Sequence, residues 1–388
     1  MQQSEIKSLY DFDVVIVGAG FFGLTLAYEM STKSESSVVV LDKRDHLGGN
    51  AYSYTDSSTN IEIHKYGSHL FHTSNKRVWD FVNQFSSFNS YTHFVKTLHD
   101  NKVFSMPINL HTISQFVDHY MDPIAAREWI ELQRGNVINS PKNLEEQAVK
   151  LIGKSLYEAF IKGYTKKQWA TNPVDLPPEI ISRLPIRYNF NDRYFSDLYE
   201  GLPTLGYGQL FNNMKNAGNF EVRLGCDFDP NKYEISKFNT LVYTGPVDRF
   251  FNYKHGVLGW RTLDFEEERL SIKDFQGTSV MNFADENVPY TRIHEFKHLH
   301  PEREQSETST IIFKEFSRSA GKGDEPYYPI NSENDRKLLK LYRDEIEGLE
   351  NVIFGGRLGR YQYLDMHMAI ASALNQADDL LSRNNFNS

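Results

Sequence analysis

The stretch Val14–Asn50 constrains the fold of this chain more than any other. It begins with a short, β-branched apolar run at 14–17, which is typical of a buried parallel strand. Three glycines follow this run at the spacing G-x-G-x-x-G: Gly18, Gly20 and Gly23. Such glycines permit a tight turn, the close approach of a pyrophosphate, and the packing of a helix on the strand.

The residues after the glycines continue the same pattern. A helix is predicted from about Phe22 to Met30, and a second apolar run, Val38–Leu41, predicts another strand. Asp42 follows it directly, where a carboxylate can accept hydrogen bonds from the ribose of an adenosine and would repel a 2′-phosphate. The order predicts a dinucleotide-binding unit, and a chance glycine turn in an α/β protein is the alternative.

Two further glycines lie just beyond the acidic residue. The sequence Leu47-Gly48-Gly49-Asn50 offers a second place where backbone can lie against a cofactor. This double-glycine pattern resembles the fingerprint of flavin-dependent oxidases and reductases, and it favours FAD. An ordinary turn is the alternative interpretation.

Composition excludes several classes of protein. The net charge of −9 argues against a nucleic-acid partner, and no apolar run approaches the length of a membrane span. Cys226 is the single cysteine, so the chain forms no internal disulfide. The first residues lack the apolar core of a signal peptide, and we expect a cytoplasmic protein.

Hydrophobic periodicity divides the rest of the chain. Helical spacing dominates between 75 and 170, whereas alternation between 255 and 330, and again over 186–190, predicts strands. We expect an α/β fold with a Rossmann-like FAD-binding domain, an inserted α-helical domain, and an antiparallel β-sheet domain with a mobile substrate loop. The expected boundaries are 10–75, 205–248 and 350–384 for the first domain, 76–175 for the second, and 176–204 and 249–349 for the third.

Several side chains have more than one interpretation before any relative is considered. His64, His69 and His72 cluster around Gly67, but a metal site is disfavoured because no carboxylate or cysteine lies at ligand spacing. A cofactor contact is favoured for His69 and His72, since the dinucleotide unit lies just upstream. The simplest interpretation of the aromatic residues between 160 and 169 is core packing, and that of Arg183 is a solvated surface charge.

Ten segments together resemble the bacterial UDP-galactopyranose mutase family. They span about Asp13 to Leu381 and read VVIVGAGFFG, LDKRDHLGGNAY, IHKYGSHLFHT, NLEEQA, FIKGYTKKQW, RYFSD, YTGP, NVPYTRI, DEPYYP and VIFGGRLGRYQYLDMH. Asp42 departs from the usual glutamate but keeps the ribose role. Ala170 and Gly359 also depart from the family pattern.

The resemblance implies a non-redox isomerase that uses reduced FAD to interconvert UDP-galactopyranose and UDP-galactofuranose for cell-surface glycans. In that chemistry flavin N5 attacks the anomeric carbon, UDP leaves, and the sugar recloses with the other ring size before UDP returns. The family also implies a cellular reductant such as NAD(P)H and a homo-oligomer, a dimer or larger.

The resemblance also gives roles to individual residues. Phe160 and Tyr164 would sandwich the uracil, Trp169 would lie beside the galactose, and the catalytic Arg183 and Arg292 would bind the diphosphate. The remaining implied substrate contacts are Tyr194, Tyr328, Tyr363, Asn282, His72 and Asn89. The implied cofactor contacts are Gly18, Gly20, Phe22, Gly23, Asp42, Lys43, Gly49, Asn50, the catalytic His69 near N5, Arg357, Tyr363, Asp365 and Met366.

Two other functions share part of this pattern. An FAD-dependent amine oxidase or desaturase has the same N-terminal fingerprint, but it gives no reason for the paired arginines and tyrosines. A non-catalytic flavoprotein that binds UDP-sugars or senses redox state would bind UDP and form no furanose product.

Overall fold

Two β-sheets organise the computed structural model, which describes residues 7–135, 139–181 and 186–383. The strands are β1 Val14–Val17, β2 Val38–Leu41, β3 Ser53–Thr55, β4 Glu62–His64, β5 Phe71–Thr73, β6 Val95–His99, β7 Lys102–Met106, β8 Tyr199–Gly201, β9 Glu221–Arg223, β10 Thr240–Tyr243, β11 Trp260–Leu270, β12 Val280–Phe283, β13 Arg292–Glu295, β14 Thr310–Ser319, β15 Tyr328–Pro329 and β16 Val352–Phe354. The helices are α1 Phe21–Lys33, α2 Lys76–Val82, α3 Leu110–Phe116, α4 Pro123–Arg134, α5 Leu144–Ile152, α6 Lys154–Leu156, α7 Gly163–Trp169, α8 Gly206–Ala217, α9 Val247–Phe250, α10 Glu333–Ile346, α11 Gly356–Gly359 and α12 Met366–Ser382. Within these ranges every helix is too short or too polar to cross a membrane.

The first sheet is parallel, with strand order β16-β10-β1-β2-β9. All four residues of β2 are buried, as expected for a strand covered on both faces. Helices α1, α8 and α12 contribute to the hydrophobic core on one face, and α10 contributes to the core on the other. The predicted Rossmann-like unit is therefore confirmed, and β1 occupies its centre.

The second sheet has seven strands in the order β15-β11-β14-β13-β12-β6-β7. Its neighbouring strands are antiparallel except for the parallel pair β6 and β12. The strands predicted between 255 and 330 are confirmed. Strands β6 and β7, however, lie inside the segment that we predicted to be helical, so residues 95–106 belong to this sheet.

The helical region packs around a separate core formed from α3 to α6 and a π-helical turn at Tyr157–Lys162. Asp122 caps α4, and Pro123 occupies its first turn, where a proline costs no hydrogen bond. The strand predicted over 186–190 is wrong. Arg187 makes only an isolated bridge to Asn109, and the neighbouring side chains pack on the helical core. We keep the three-part domain division as a proposal, with 95–106 assigned to the sheet.

Candidate cofactor and substrate site

A first cavity opens where β1, β2 and β10 end, which is where α/β sheets bind their ligands. All the predicted glycines of the turn line it. So do these predicted cofactor residues: Phe22, Asp42, Lys43, Asn50, His69, Arg357 and Met366. The amide of Ala19 donates to Asp42 Oδ2 at 2.7 Å, and the amide of Arg44 donates to Oδ1 at 2.9 Å. These bonds fix the carboxylate at the end of β2.

The glycines of the turn differ in the contacts that an added Cβ atom would make. A Cβ on Gly23 would lie 2.0 Å from the carbonyl oxygen of Gly18, so only glycine lets α1 pack this closely on the turn. A Cβ on Gly20 would meet nothing within 4 Å. Gly20 is also the N-cap of α1 and offers no side chain to the free amides there, which leaves them available for an anion. The turn therefore fits the pyrophosphate of a dinucleotide.

An ionic contact lies over the same cavity and was not predicted from the sequence. Glu325 accepts from Arg44 at 2.7 Å and pairs with Lys43 at 2.6 Å. Burial would raise the pKa of Glu325, but the charges of Arg44 and Lys43 outweigh it and lower that pKa. The contact joins the segment after β2 to the loop before β15, and sequence spacing gave no signal for it.

A second cavity adjoins the first, and His69, Arg357 and Met366 line both. The other predicted site residues around it are His72, Tyr194, Asn282, Arg292, Tyr328, Tyr363 and Asp365. The rings of Tyr328 and Tyr363 stack with centroids 5.9 Å apart, and the Arg357 guanidinium lies 4.9 Å from the centre of the Tyr363 ring. The two cavities are therefore direct neighbours.

Strand register explains why polar side chains converge on the second cavity. Asn282 on β12 pairs with Arg292 on β13, and Arg292 pairs with Glu315 on β14. Directly paired residues point to the same face of a sheet. One row across three strands therefore presents an amide, a guanidinium and a carboxylate to the same cavity.

Arg292 keeps donors available although it has a counter-charge. Its side chain is 29% exposed, and Nε lies 3.3 Å from Glu315 Oε1 without hydrogen-bond geometry. Its Nη2 donates to the hydroxyl of Tyr164, which brings α7 to the cavity. The structure thus brings together Arg292 and Tyr164, two residues that were predicted to bind different parts of the substrate.

His69 is neutral at the boundary between the cavities. Its enclosure removes it from water and, with the nearby charge of Arg357, lowers its pKa to about 4. Nδ1 lies 2.8 Å from the carbonyl oxygen of Gly67, so Nδ1 carries the proton and donates it. Nε2 is consequently an acceptor.

Four of the predicted substrate residues that the structure describes do not line either cavity: Phe160, Tyr164, Trp169 and Asn89. Tyr164 hydrogen-bonds Arg292, which lines the second cavity. Phe160 is 4% exposed and packs in the helical core, with its ring 4.9 Å from that of Phe104. The side-chain amide of Asn89 donates a hydrogen bond to the carbonyl of Leu299 and accepts one from the backbone amide of Leu202. Trp169 ends α7. The predicted uracil and sugar contacts of these residues stay predictions, and Arg183 lies outside the described residues.

One group near the second cavity has the donor types that bind divalent metals. His72, Asp365 and His367 each bring one candidate ligand atom within 4.8 Å of the others. The second nitrogen of His72 is committed to Asp197 at 2.6 Å. His64, which the sequence grouped with His69 and His72, instead accepts the backbone amide of His69.

Comparison with known proteins connects this geometry to one family. A sequence model described as UDP-galactopyranose mutase matches residues 159–363, and one described as an NAD(P)-binding Rossmann-like domain matches residues 16–85. A protein named probable UDP-galactopyranose mutase, from Klebsiella pneumoniae, is 43% identical over 370 residues and 95% of each chain. A dTDP-fucopyranose mutase from Escherichia coli is 39% identical over 96% of this chain and 99% of its own.

Solved structures share the fold at low sequence identity. A crystal structure of reduced UDP-galactopyranose mutase aligns with a TM-score of 0.76 over 95% of this chain and 94% of the other, at 15% identity. A putative protoporphyrinogen oxidase from Exiguobacterium aligns with a TM-score of 0.61, at 12% identity over 95% of this chain and 98% of the other. The shared architecture therefore hosts more than one chemistry.

Proposed function

The chain belongs to the UDP-galactopyranose mutase family and is an isomerase, and on that premise we propose that it interconverts UDP-galactopyranose and UDP-galactofuranose with bound FAD. The observation that carries this proposal is the wall shared by the two cavities. His69, Arg357 and Met366 line both, so a cofactor in the first can meet a sugar in the second.

The residues of the first cavity fit FAD. Asp42 is placed to accept from the ribose, and the Gly20 turn is open to the pyrophosphate. The N-terminus of α12, capped by Asp365 without a side-chain hydrogen bond to the helix, faces the boundary of the cavities. Reduced FAD supplies an electron-rich N5 that can act as a nucleophile toward the anomeric carbon, which oxidised FAD cannot do.

The chain's own contribution is to bind the leaving diphosphate and to orient the sugar. The guanidinium of Arg292 lines the second cavity and would donate to phosphate oxygens, and Tyr194, Tyr328 and Tyr363 line the same cavity. The family resemblance adds Arg183 as a second guanidinium. Because charge on the diphosphate grows as it departs, these donors would stabilise the departing group more than the bound substrate.

His69 contributes an acceptor at the boundary of the cavities. With its proton held on Nδ1 by the Gly67 carbonyl, Nε2 is free to accept a hydrogen bond or a proton from a sugar hydroxyl. The low pKa keeps this nitrogen unprotonated near neutral pH. The family resemblance further implies that the product supplies galactofuranose for cell-surface glycans, that NAD(P)H is the reductant, and that a homo-oligomer is the working form.

The test is chromatography of UDP-galactofuranose incubated with purified protein in its oxidised and dithionite-reduced states. We expect UDP-galactopyranose to form with the reduced protein and very little product to form with the oxidised protein. Equal rates in both states would exclude a reduced flavin as the active form. Net oxidation of the sugar with oxygen consumption would favour an oxidase, and UDP binding without product would favour a non-catalytic flavoprotein.

Substrate choice is tested in the same assay with dTDP-fucopyranose, because a relative with that specificity is 39% identical. We expect the UDP-linked galactose to be converted faster. Faster conversion of the dTDP-linked sugar would retain the reaction type and reassign the substrate.

A further inference from the structure

A buried hydrogen-bonded chain connects the loop that carries His69 to the carboxylate that pairs with Arg292. Ser68 Oγ lies 2.8 Å from His294 Nδ1, and His294 Nε2 lies 3.0 Å from Glu315 Oε2. The side chains of His294 and Glu315 are 1% and 2% exposed. Neither Ser68 nor His294 was singled out by the sequence, and neither has a role in the function proposed above.

The sheet register assembles this chain. His294 lies two residues after Arg292 on β13, so both point to one face of the sheet, the face where Glu315 projects from β14. Loop 65–70 crosses this face closely. A Cβ on Gly67 would lie 2.9 Å from the ring of Phe265, which pairs with Glu315 from the other side. The loop therefore packs directly against the strands.

The direction of each hydrogen bond in the chain follows from the charge on Glu315. Burial would raise the pKa of Glu315, but the Arg292 charge and hydrogen bonds from His294 and Thr291 outweigh it and hold that pKa at about 2. Burial also lowers the pKa of His294, so its imidazole is neutral. An ionised carboxylate only accepts, so Nε2 donates to Glu315, Nδ1 accepts, and the Ser68 hydroxyl donates to it.

We propose that Ser68 and His294 are positioning residues for the isomerase reaction, holding the loop Gly67–His69 and the Arg292–Glu315 pair in one fixed arrangement. The proposal rests on the function proposed above. Two groups that must act on the same substrate, His69 at the sugar and Arg292 at the diphosphate, are joined through three hydrogen-bonded side chains. The chain transmits position, and no proton needs to travel along it.

The first test is the protonation state of His294, which does not depend on turnover. We expect nitrogen-15 NMR of the histidine-labelled holoenzyme near neutral pH to show His294 protonated on Nε2 and unprotonated on Nδ1. In Ser68→Ala the Nδ1 signal should shift, because its donor is gone. A proton on Nδ1, or a doubly protonated ring, would overturn the proposal even if the enzyme is an active mutase.

The second test separates positioning from binding by kinetics. Ser68→Ala should lower kcat about five- to tenfold, the effect of one lost hydrogen bond, and leave the Kd for UDP within about twofold. Unchanged kcat would overturn the proposal, and so would a loss confined to UDP affinity. If the wild-type protein is also inactive, the proposed function is contradicted. The NMR test of His294 can still be evaluated in that case, because it does not depend on turnover.

Rescue at position 294 gives the most discriminating comparison. Glutamine can accept from Ser68 through its oxygen and donate to Glu315 through its nitrogen, whereas leucine can do neither. We expect His294→Gln to keep kcat within about threefold of wild type and His294→Leu to lose more than about tenfold. Equal losses in the two would contradict the proposal. If His294→Leu fails to fold, Ser68→Ala and His294→Gln still decide it.

The matched control is His300→Gln. His300 is also 1% exposed and pairs through Nδ1 with Glu302 at 2.9 Å, but it lines neither of the two cavities. We expect His300→Gln to keep kcat within about twofold of wild type even if the free energy of unfolding falls. A fall in kcat equal to that of Ser68→Ala would show that any disturbed buried histidine slows the enzyme, and the specific role of Ser68 and His294 would be lost.

Discussion

Arg292 faces its cavity with a counter-charge already beside it. The Glu315 carboxylate compensates the guanidinium, yet Nε has no hydrogen-bond partner and the side chain is 29% exposed. A fully buried pair would have its donors satisfied internally and would bind anions poorly. This half-open pair can hold a diphosphate without the attraction of an uncompensated positive charge, which would slow release of the product.

Replacement of Arg292 tests whether its guanidinium, with Glu315 beside it, contributes to binding of the diphosphate. Lysine keeps the charge but loses the planar fork, so we expect kcat/KM of Arg292→Lys to fall about 10- to 100-fold, and that of Arg292→Ala to fall further. Steady-state kinetics with reduced enzyme measures this, with Arg269→Lys as the control because Arg269 pairs with Asp56 outside both cavities. Near wild-type kcat/KM in both Arg292 variants would remove the arginine from the site.

Protonation of Glu315 makes the free energy of unfolding depend on pH between 4.5 and about 2. Its pKa falls from 4.5 to about 2 on folding, so its contribution is present above pH 4.5 and is lost as pH falls toward 2. That contribution is on the order of 3 kcal/mol. Urea unfolding across this window should show a flatter pH dependence for Glu315→Gln than for wild type. Glu128→Gln, which removes an exposed carboxyl on α4, should give a curve parallel to wild type.

Sequence reasoning identified the ligand-facing residues better than their support. Arg292 could be found because a family motif contains it, and Asn282 because the family resemblance gives that position a role. Glu315, His294 and Ser68 could not, because their partners are set by strand register and by a loop crossing that local periodicity does not encode. Core packing, the simplest interpretation of the segment that holds Phe160, describes that residue in the structure, where its ring is buried among helices.

The β1–α1 turn is the element on which cofactor binding depends, and its glycines can be separated experimentally. In Gly23→Ala the new methyl would collide with the Gly18 carbonyl, so we expect a destabilisation of about 1–3 kcal/mol and reduced flavin. In Gly20→Ala the methyl meets open space and the backbone, with φ −82°, accepts alanine.

Gly20→Ala should therefore fold with the apoprotein Tm of wild type and still lose flavin, because the methyl occupies the path of the pyrophosphate. Absorbance spectra of the purified variants measure flavin content, and calorimetry of the apoproteins measures Tm. Full flavin content in Gly20→Ala would mean that the pyrophosphate lies elsewhere.

At the scale of elements, the strands that are buried on both faces were predicted well from the sequence, whereas the pairing of strands with one another was predicted poorly. Strands β1 and β2 were predicted with the right bounds because both are apolar throughout. The run at 186–190 alternates like a strand, but it lies on the helical core without a neighbouring strand to complete a ladder. Strands β6 and β7 sit between helical segments and join a sheet whose other members lie far along the chain.

For the whole molecule, the first cavity draws its walls from segments between Val17 and Ala369. A ligand that binds only this assembled form stabilises it, by about 2.7 kcal/mol at a hundredfold excess over Kd. We expect FAD to raise the apoprotein Tm by about 3 °C. Gly20→Ala should show no such shift, and FMN, which lacks the adenosine half that Asp42 would bind, should give a smaller one. An equal shift with FMN would contradict the assignment of Asp42.

The distant origin of those walls also determines when the cofactor can be acquired during biosynthesis. Met366 and Ala369 on α12 face the glycines that follow β1, so the pocket is incomplete until the ribosome has translated and released almost all of the chain. The cofactor proposed above would therefore bind only after nearly the whole chain has left the ribosome, and not to the first strands during their synthesis.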